Sequence, residues 1–274
     1  MNLSSKFEIV NVSDVGRRRP HNEDSTLSDA DSGLVILADG MGGYKAGEVA
    51  SAIAVTSVHK EILAGLAQIE QENHQGPAAL TPQSELVKDA VISANSGIYR
   101  TAQRDPQCQG MGTTIVAVLF YNNAMTIAHV GDSRLYRLRG NEFLQITKDH
   151  SLIQELIDRG LYTPEEAALN TPKNLVTRAL GIEPDVKVDI GEQPVVPGDI
   201  YLLCSDGLND MVDDEEIHLT LSKYSANLVQ AAEELVRLAN AKGGKDNTSV
   251  ILVRPKEDFS TSKGPLKKLL NRFF

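Results

Sequence analysis

The run Leu34-Val35-Ile36-Leu37-Ala38 constrains the fold more than any other stretch of the chain. Five consecutive apolar residues are too few for a helix, yet enough for a strand buried on both faces. The run ends in Asp39-Gly40-Met41-Gly42-Gly43, so a carboxylate stands where an interior strand stops. The setting recurs. Asp132 follows His129-Val130-Gly131, Asp206 follows Leu202-Leu203-Cys204-Ser205 and precedes Gly207, and Asp246 follows Gly243-Gly244-Lys245 and precedes Asn247. A single Asp-Gly pair is an ordinary turn. Repetition at the ends of buried runs points further, because a desolvated carboxylate is costly without a compensating cation.

The ligand chemistry follows from the residue types. Oxygen donors without a cysteine or histidine set select hard ions, magnesium or manganese, over zinc or copper. Glycine beside the acid lets the main chain approach a metal, so the carbonyl of Gly40 is a further candidate ligand. The chain has only 2 cysteines, Cys108 and Cys204, far apart and in no C-x-x-C arrangement. That argues against a disulfide framework and fits a reducing compartment. A net charge of -10 over 274 residues disfavours nucleic acid and anionic membrane as partners. With no apolar leader at the start and no apolar run near the roughly 18 residues of a membrane span, a cytoplasmic globular protein is expected. Gly40, Gly42 and Lys45 miss the third glycine of G-x-G-x-x-G. Neither a P-loop nor a G-x-S-x-G elbow occurs.

The periodicity predicts helices over about 46–66 and 84–104, then strands over 113–120, 124–130, 133–138 and 143–147, with Asn122-Asn123 as a hairpin turn. A helical pair broken at Thr163-Pro164 is expected within 149–170. Strands at 186–190 and 200–204, helices at 213–221 and 228–241, and a last strand at 248–253 complete the pattern. Strands and helices do not alternate regularly, so the class is α+β and not doubly wound. Residues 71–82 read as a surface loop, and 255–274 as a flexible tail ending in the basic amphipathic stretch Leu266-Lys267-Lys268-Leu269-Leu270-Asn271-Arg272-Phe273-Phe274. Nine residues make a marginal helix, so no membrane contact is expected of it.

Arg19-Pro20-His21-Asn22-Glu23-Asp24-Ser25, Ala38-Asp39-Gly40-Met41-Gly42-Gly43, Gly112-Thr113-Thr114, His129-Val130-Gly131-Asp132-Ser133-Arg134, Ser205-Asp206-Gly207-Leu208 and Lys245-Asp246-Asn247-Thr248-Ser249 stand in order along the chain. In this order and spacing, from about Lys6 to Val253, the chain resembles type-2C metal-dependent serine/threonine protein phosphatases of the bacterial branch. The resemblance implies one catalytic domain over 1–254, a central β-sandwich of two antiparallel sheets flanked by helices on both faces, and a helical flap at about 149–181. It implies two Mn2+ or Mg2+ ions, with Asp39 bridging them, the Gly40 carbonyl on one, and Asp206 and Asp246 on the other. Asp132 would complete a third, weaker site together with Asp206. Asp24 would orient water, Arg19 would bind phosphate and Asn247 would support the loop.

The implied reaction is hydrolysis of phosphoserine and phosphothreonine on proteins by metal-activated water, opposing a bacterial serine/threonine kinase, by a monomer. Met41 and Tyr44 stand where parts of the family carry histidine, which leaves the proton donor for the leaving group to water at the metals. His21, His129 and His150 are the candidates among side chains, with His129 expected as a packed strand residue and His150 as a helix cap. Arg17 and Arg18 are expected to be solvated. Two other functions share these residues: a binding module that keeps the fold without turnover, and a hydrolase of small phosphoesters.

Overall fold

The computed structural model describes residues 2–43, 46–69, 80–172 and 175–260. Two antiparallel sheets stack face to face, as the fold reading expects. One sheet has the order β1 (Phe7–Asp14), β11 (Thr248–Pro255), β10 (Ile200–Cys204), β7 (Arg134–Arg139), β8 (Glu142–Gln145). The other runs β2 (Asp24–Asp29), β3 (Leu34–Met41), β5 (Ile115–Tyr121), β6 (Ala124–Val130), β9 (Asp189–Pro194), with the short β4 (Gly112–Thr113) also paired to β3.

Two-residue side-chain periodicity explains the unbroken apolar run of β3. Val35 and Leu37 face the other sheet, where they meet Phe7, Tyr201, Leu203 and Ile251, with Val116 of their own sheet beside them. Leu34, Ile36 and Ala38 face outward against α1 (Ala46–Ile69) and α2 (Pro82–Arg104). On the opposite outer face, Tyr136, Leu202, Val250 and Leu252 pack under α6 (Asp214–Lys223) and α7 (Leu228–Ala241). The result is four layers, α-β-β-α, with strands buried on both sides. By length and composition α1 can cross a membrane. In this fold it lies on the sheet with Ala50, Ala54, Val58 and Ile62 fully buried.

Local chemistry fixes the joints. Asn122 and Asn123 both adopt positive φ, 47° and 57°, the primed turn that suits the twist of a two-residue hairpin. Thr163 caps α4 (Pro164–Asn170) with a capping box, following α3 (Leu152–Asp158). The expected helical pair is thus present. The sequence reading differs at three places. Residues 24–29 form a strand that no pattern in the sequence marked. The strand expected at 186–190 is β9, four residues or so further along. A one-turn helix, α5 (Asp206–Asn209), starts at one of the acids. Beyond Pro255 the chain stays packed: Phe259 is 1% exposed, its ring 5.0 Å from Phe7. Residues 261–274 of the expected tail lie outside the described residues, as do Tyr44 and most of the 71–82 loop.

Candidate metal centre

The two sheets present their acids at one end of the sandwich. In the β2–β3 pairing Asp24 stands opposite Asp39. Asp132 follows β6, Asp206 follows β10 and opens α5, and Asp246 precedes β11. Two glycines allow this closeness. A Cβ on Gly40 would lie 2.1 Å from the Gly47 carbonyl oxygen, and one on Gly207 would lie 1.9 Å from that of Asn247. Only hydrogen fits, so β3 is pressed against the start of α1 and α5 against the Asp246-Asn247 loop.

Electrostatics show that the acids share one volume. Burial, then the charges of Asp24, Asp206, Asp132 and Asp246, push the Asp39 carboxyl well above its ordinary range. Asp206 rises likewise, through burial and then Asp132, Asp246, Asp210 and Asp24. Burial lifts Asp24 to about 6 even though Ser249 and Ser205 donate to its Oδ2 at 2.6 and 2.8 Å. Asp132, 7% exposed, rises to about 6, again chiefly by burial. Asp24 Oδ1 and Asp206 Oδ1 are buried with no hydrogen-bond partner. Desolvated, mutually repelling oxygens with unused lone pairs are what hard cations satisfy. The residues fit a cluster of divalent ions.

Arg19 lies across the rim. Its Nη2 donates to Asp246 Oδ2 at 2.6 Å, and that hydrogen bond holds the guanidinium above its usual pKa against the opposing pull of burial. Arg19, Asp206, Asp210, Lys245 and Asp246 line a cleft of about 420 Å³. The loop that carries Arg19 is tied down by Asn247. Its Oδ1 accepts Glu23 N–H at 2.8 Å, and its Nδ2 donates to the carbonyls of Val15 and His21, each at 2.9 Å. All the sequence-predicted positions, Arg19, Asp24, Asp39, Gly40, Asp132, Asp206 and Asp246, therefore meet at this end of the molecule.

Asp210 and Glu23 were missed. Asp210 lines the cleft and acts on both Asp206 and Asp132. Its position four residues after Asp206, one helical turn, was the available signal. Burial raises Glu23, whose charge bears on Arg19. The histidines divide. His129 is 4% exposed, as expected of a packed residue, and its Nε2 donates to the Lys148 carbonyl at 2.8 Å. His150 is not the helix cap; Ser151 takes that place, accepting Gln154 N–H. His21 sits exposed in the Arg19 loop. Cys204, next to this end of the sheet, is fully buried, and burial pushes its thiol up to about 12, so no thiolate nucleophile is available there.

Two antiparallel sheets between helix layers, with clustered acids and one arginine at a sheet end, define a carboxylate-lined centre of the kind that handles phosphate with divalent ions. The protein phosphatase 2C family model matches residues 17–243, and the chain belongs to that family. Serine/threonine protein phosphatase PstP of Mycobacterium tuberculosis is 40% identical over 241 residues, which are 88% of this chain and 43% of that protein. The chain thus spans less than half the length of this relative. Protein phosphatase PhpP of Streptococcus pneumoniae is 36% identical over 255 residues, 92% of this chain and 99% of PhpP. The catalytic domain of PstP has been solved in complex with 2 manganese ions; it matches with a TM-score of 0.74 at 38% identity, over 92% of this chain and 99% of that one.

Proposed function

We propose that the chain is a metal-dependent protein serine/threonine phosphatase acting in the cytoplasm on phosphoproteins made by a serine/threonine kinase. The observation that carries this reading is the pair of orphaned carboxylate oxygens, on Asp24 and Asp206, inside a cluster of acids whose charges raise one another. Two divalent cations would be held by Asp39, the Gly40 carbonyl, Asp206 and Asp246, and a third by Asp132 with Asp206. When bound, such ions supply a water of lowered pKa and neutralise the phosphate.

The chain's own groups do the rest. Arg19 offers a planar fork for two phosphate oxygens, and its half-exposed side chain can pivot between Asp246 and substrate. Asp24 Oδ1, buried and without a hydrogen-bond partner, would accept a hydrogen bond from water and so orient it. Asp24 Oδ2 is already fixed by Ser205 and Ser249. Neither His129 nor His150 is free to protonate a leaving alkoxide, since both rings are engaged away from the cleft. A protein substrate is favoured over a small phosphoester by a second hollow, about 730 Å³, whose rim includes Met41, Arg178, Ile182 and Lys187. Met41 is two residues from Asp39, so a peptide flanking the phosphate would reach this hollow. It borders the 149–181 segment, which we assign as the flap.

Phosphate release from a phosphothreonine peptide and from a nucleotide tests the reading. Manganese-dependent release from the peptide, abolished by chelator and by Asp39→Ala, is expected. Release from the nucleotide alone would assign a small-molecule hydrolase. No release from a folded protein under any condition would refute the enzyme.

A further inference from the structure

His150 belongs to neither the acid cluster nor the cleft, yet it is bonded on every side. Its backbone N–H donates to the Gly131 carbonyl at 2.8 Å, and Gly131 N–H donates to its Nδ1 at 3.0 Å. Its carbonyl accepts Thr177 N–H at 2.8 Å. The ring stacks on His129 with centroids 4.5 Å apart. Nε2 lies 3.2 Å from Asp189 Oδ2 and 2.9 Å from Arg178 Nη1, and Arg178 also donates to Asp189 Oδ1 at 2.9 Å.

The tautomer follows. An amide can only donate, so Nδ1 is the acceptor, and the single proton of a neutral ring sits on Nε2 and is donated to Asp189; Arg178 Nη1, itself only a donor, holds the ring through Asp189 and not by a bond to Nε2. Burial, with His129 adding to it, pushes the ring down to about 4, so it is neutral at physiological pH. His129, His150 and Asp189 each bring a possible ligand atom within 4.8 Å of the others, but His129 Nε2 is taken by the Lys148 carbonyl and His150 Nδ1 by the Gly131 N–H. With a guanidinium beside Nε2, His129, His150 and Asp189 are a hydrogen-bonded joint and not a cation site.

The joint connects two places. On one side is Gly131, the residue before Asp132. An added Cβ there would stand 2.6 Å from Thr114 Cβ, and Thr114 Oγ1 accepts the Asp39 N–H at 3.0 Å. On the other side are Thr177 and Arg178, where the helical excursion that leaves at Ser151 returns to the sheet; Ser151 itself pairs with Val176.

We propose that His150 is a positioning residue, fixing the Gly131-Asp132 loop according to where Arg178 and Asp189 hold its ring. The proposal rests on the metal reading of Asp132 for its consequence, but not for its geometry. An asparagine at this position places an oxygen near Nδ1 and cannot reach Nε2's partners. A glutamine reaches toward those partners and leaves Gly131 N–H without its acceptor. Arg178→Ala cuts the joint from outside at a partly exposed side chain.

The test is amide hydrogen exchange over residues 129–133 of the full chain, measured beside Mn2+ titration by calorimetry, for wild type, His150→Asn, His150→Gln and Arg178→Ala. Faster exchange over 129–133 is expected in His150→Gln and Arg178→Ala, and less so in His150→Asn. A weakening of about tenfold at the weakest Mn2+ step is also expected in His150→Gln and Arg178→Ala, the low end for groups that orient a ligand. Unchanged exchange over 129–133 in folded Arg178→Ala and His150→Gln would overturn the proposal. If wild type binds no Mn2+ at all, the metal reading fails, and His150 is judged on exchange alone.

Discussion

The acid cluster costs the protein stability. Asp24, Asp39, Asp132 and Asp206 are desolvated beside other carboxylates, so without cations their charged forms are held at a loss. Asp206→Asn removes one of these charges while keeping the shape. The metal-free variant is expected to be more stable than metal-free wild type, by about 1 kcal/mol or more, and so to unfold at a higher temperature, while losing manganese-dependent phosphate release. Thermal unfolding in chelator, paired with the peptide assay, checks both halves; a metal-free variant less stable than wild type would contradict the electrostatic account. Asp39, Asp132, Asp206 and Asp246 were legible in the sequence because each borders a buried run or a glycine-flanked strand end, whereas Asp24 was reached only through the family resemblance. Asp210 was not legible, since it stands just past the end of a one-turn helix, where no buried run marks it.

Among the elements, those buried on both faces were the readable ones. β3, β5 and β10 carry unbroken apolar runs, and α7 packs Leu228, Ala231, Ala232 and Leu235 on one face. Two edge strands were read poorly, β2 not at all and β9 three to four residues early. β2 reads Asp-Ser-Thr-Leu-Ser-Asp and β9 Asp-Ile-Gly-Glu-Gln-Pro, and both are strands because a neighbour pairs with them, not because of their own residues. The joint around His150 was hidden for the same reason, as it depends on the register that sets His129 opposite Asp189. Its acid response can be worked out. Both rings are pushed below the ordinary histidine value by burial, His150 to about 4. The facing groups are Asp189, Arg178, Asp149 and Lys148. Asp189 is itself held low by His150 and Arg178, which outweigh its burial. A ring neutral in the fold and charged once unfolded favours the fold fully above about pH 6.5, and this is lost as pH falls toward about 4. In chemical denaturation, His150→Asn is expected to show a shallower loss of stability between those values than wild type. An equal slope would mean that the ring does not titrate as the structure requires.

At the scale of the whole molecule the centre is assembled from distant parts of the chain: Arg19 and Asp24 from the beginning, Asp132 from the middle, Asp206 and Asp246 from near the end. A cation bound there stabilises the entire sandwich, since no partial fold brings these ligands together. Mn2+ in excess is expected to stabilise the fold by an amount that grows with the logarithm of its concentration, about 2.7 kcal/mol per site at a hundredfold excess over Kd, and so to raise the melting temperature. Asp39→Ala should remove most of that rise. The two outermost strands of the chain carry one more consequence. β1 and β11 lie side by side in opposite directions, Phe7 beside Pro255 at one extremity and Asp14 beside Thr248 at the other. The acids and Arg19 are at the second extremity. Tension between anything tethered before Phe7 and anything tethered after Pro255 would therefore peel the pair apart one rung at a time, starting at the extremity remote from the acids. The rungs nearest the reaction centre would be the last to part, which leaves both ends of this fold mechanically suited to carrying attachments.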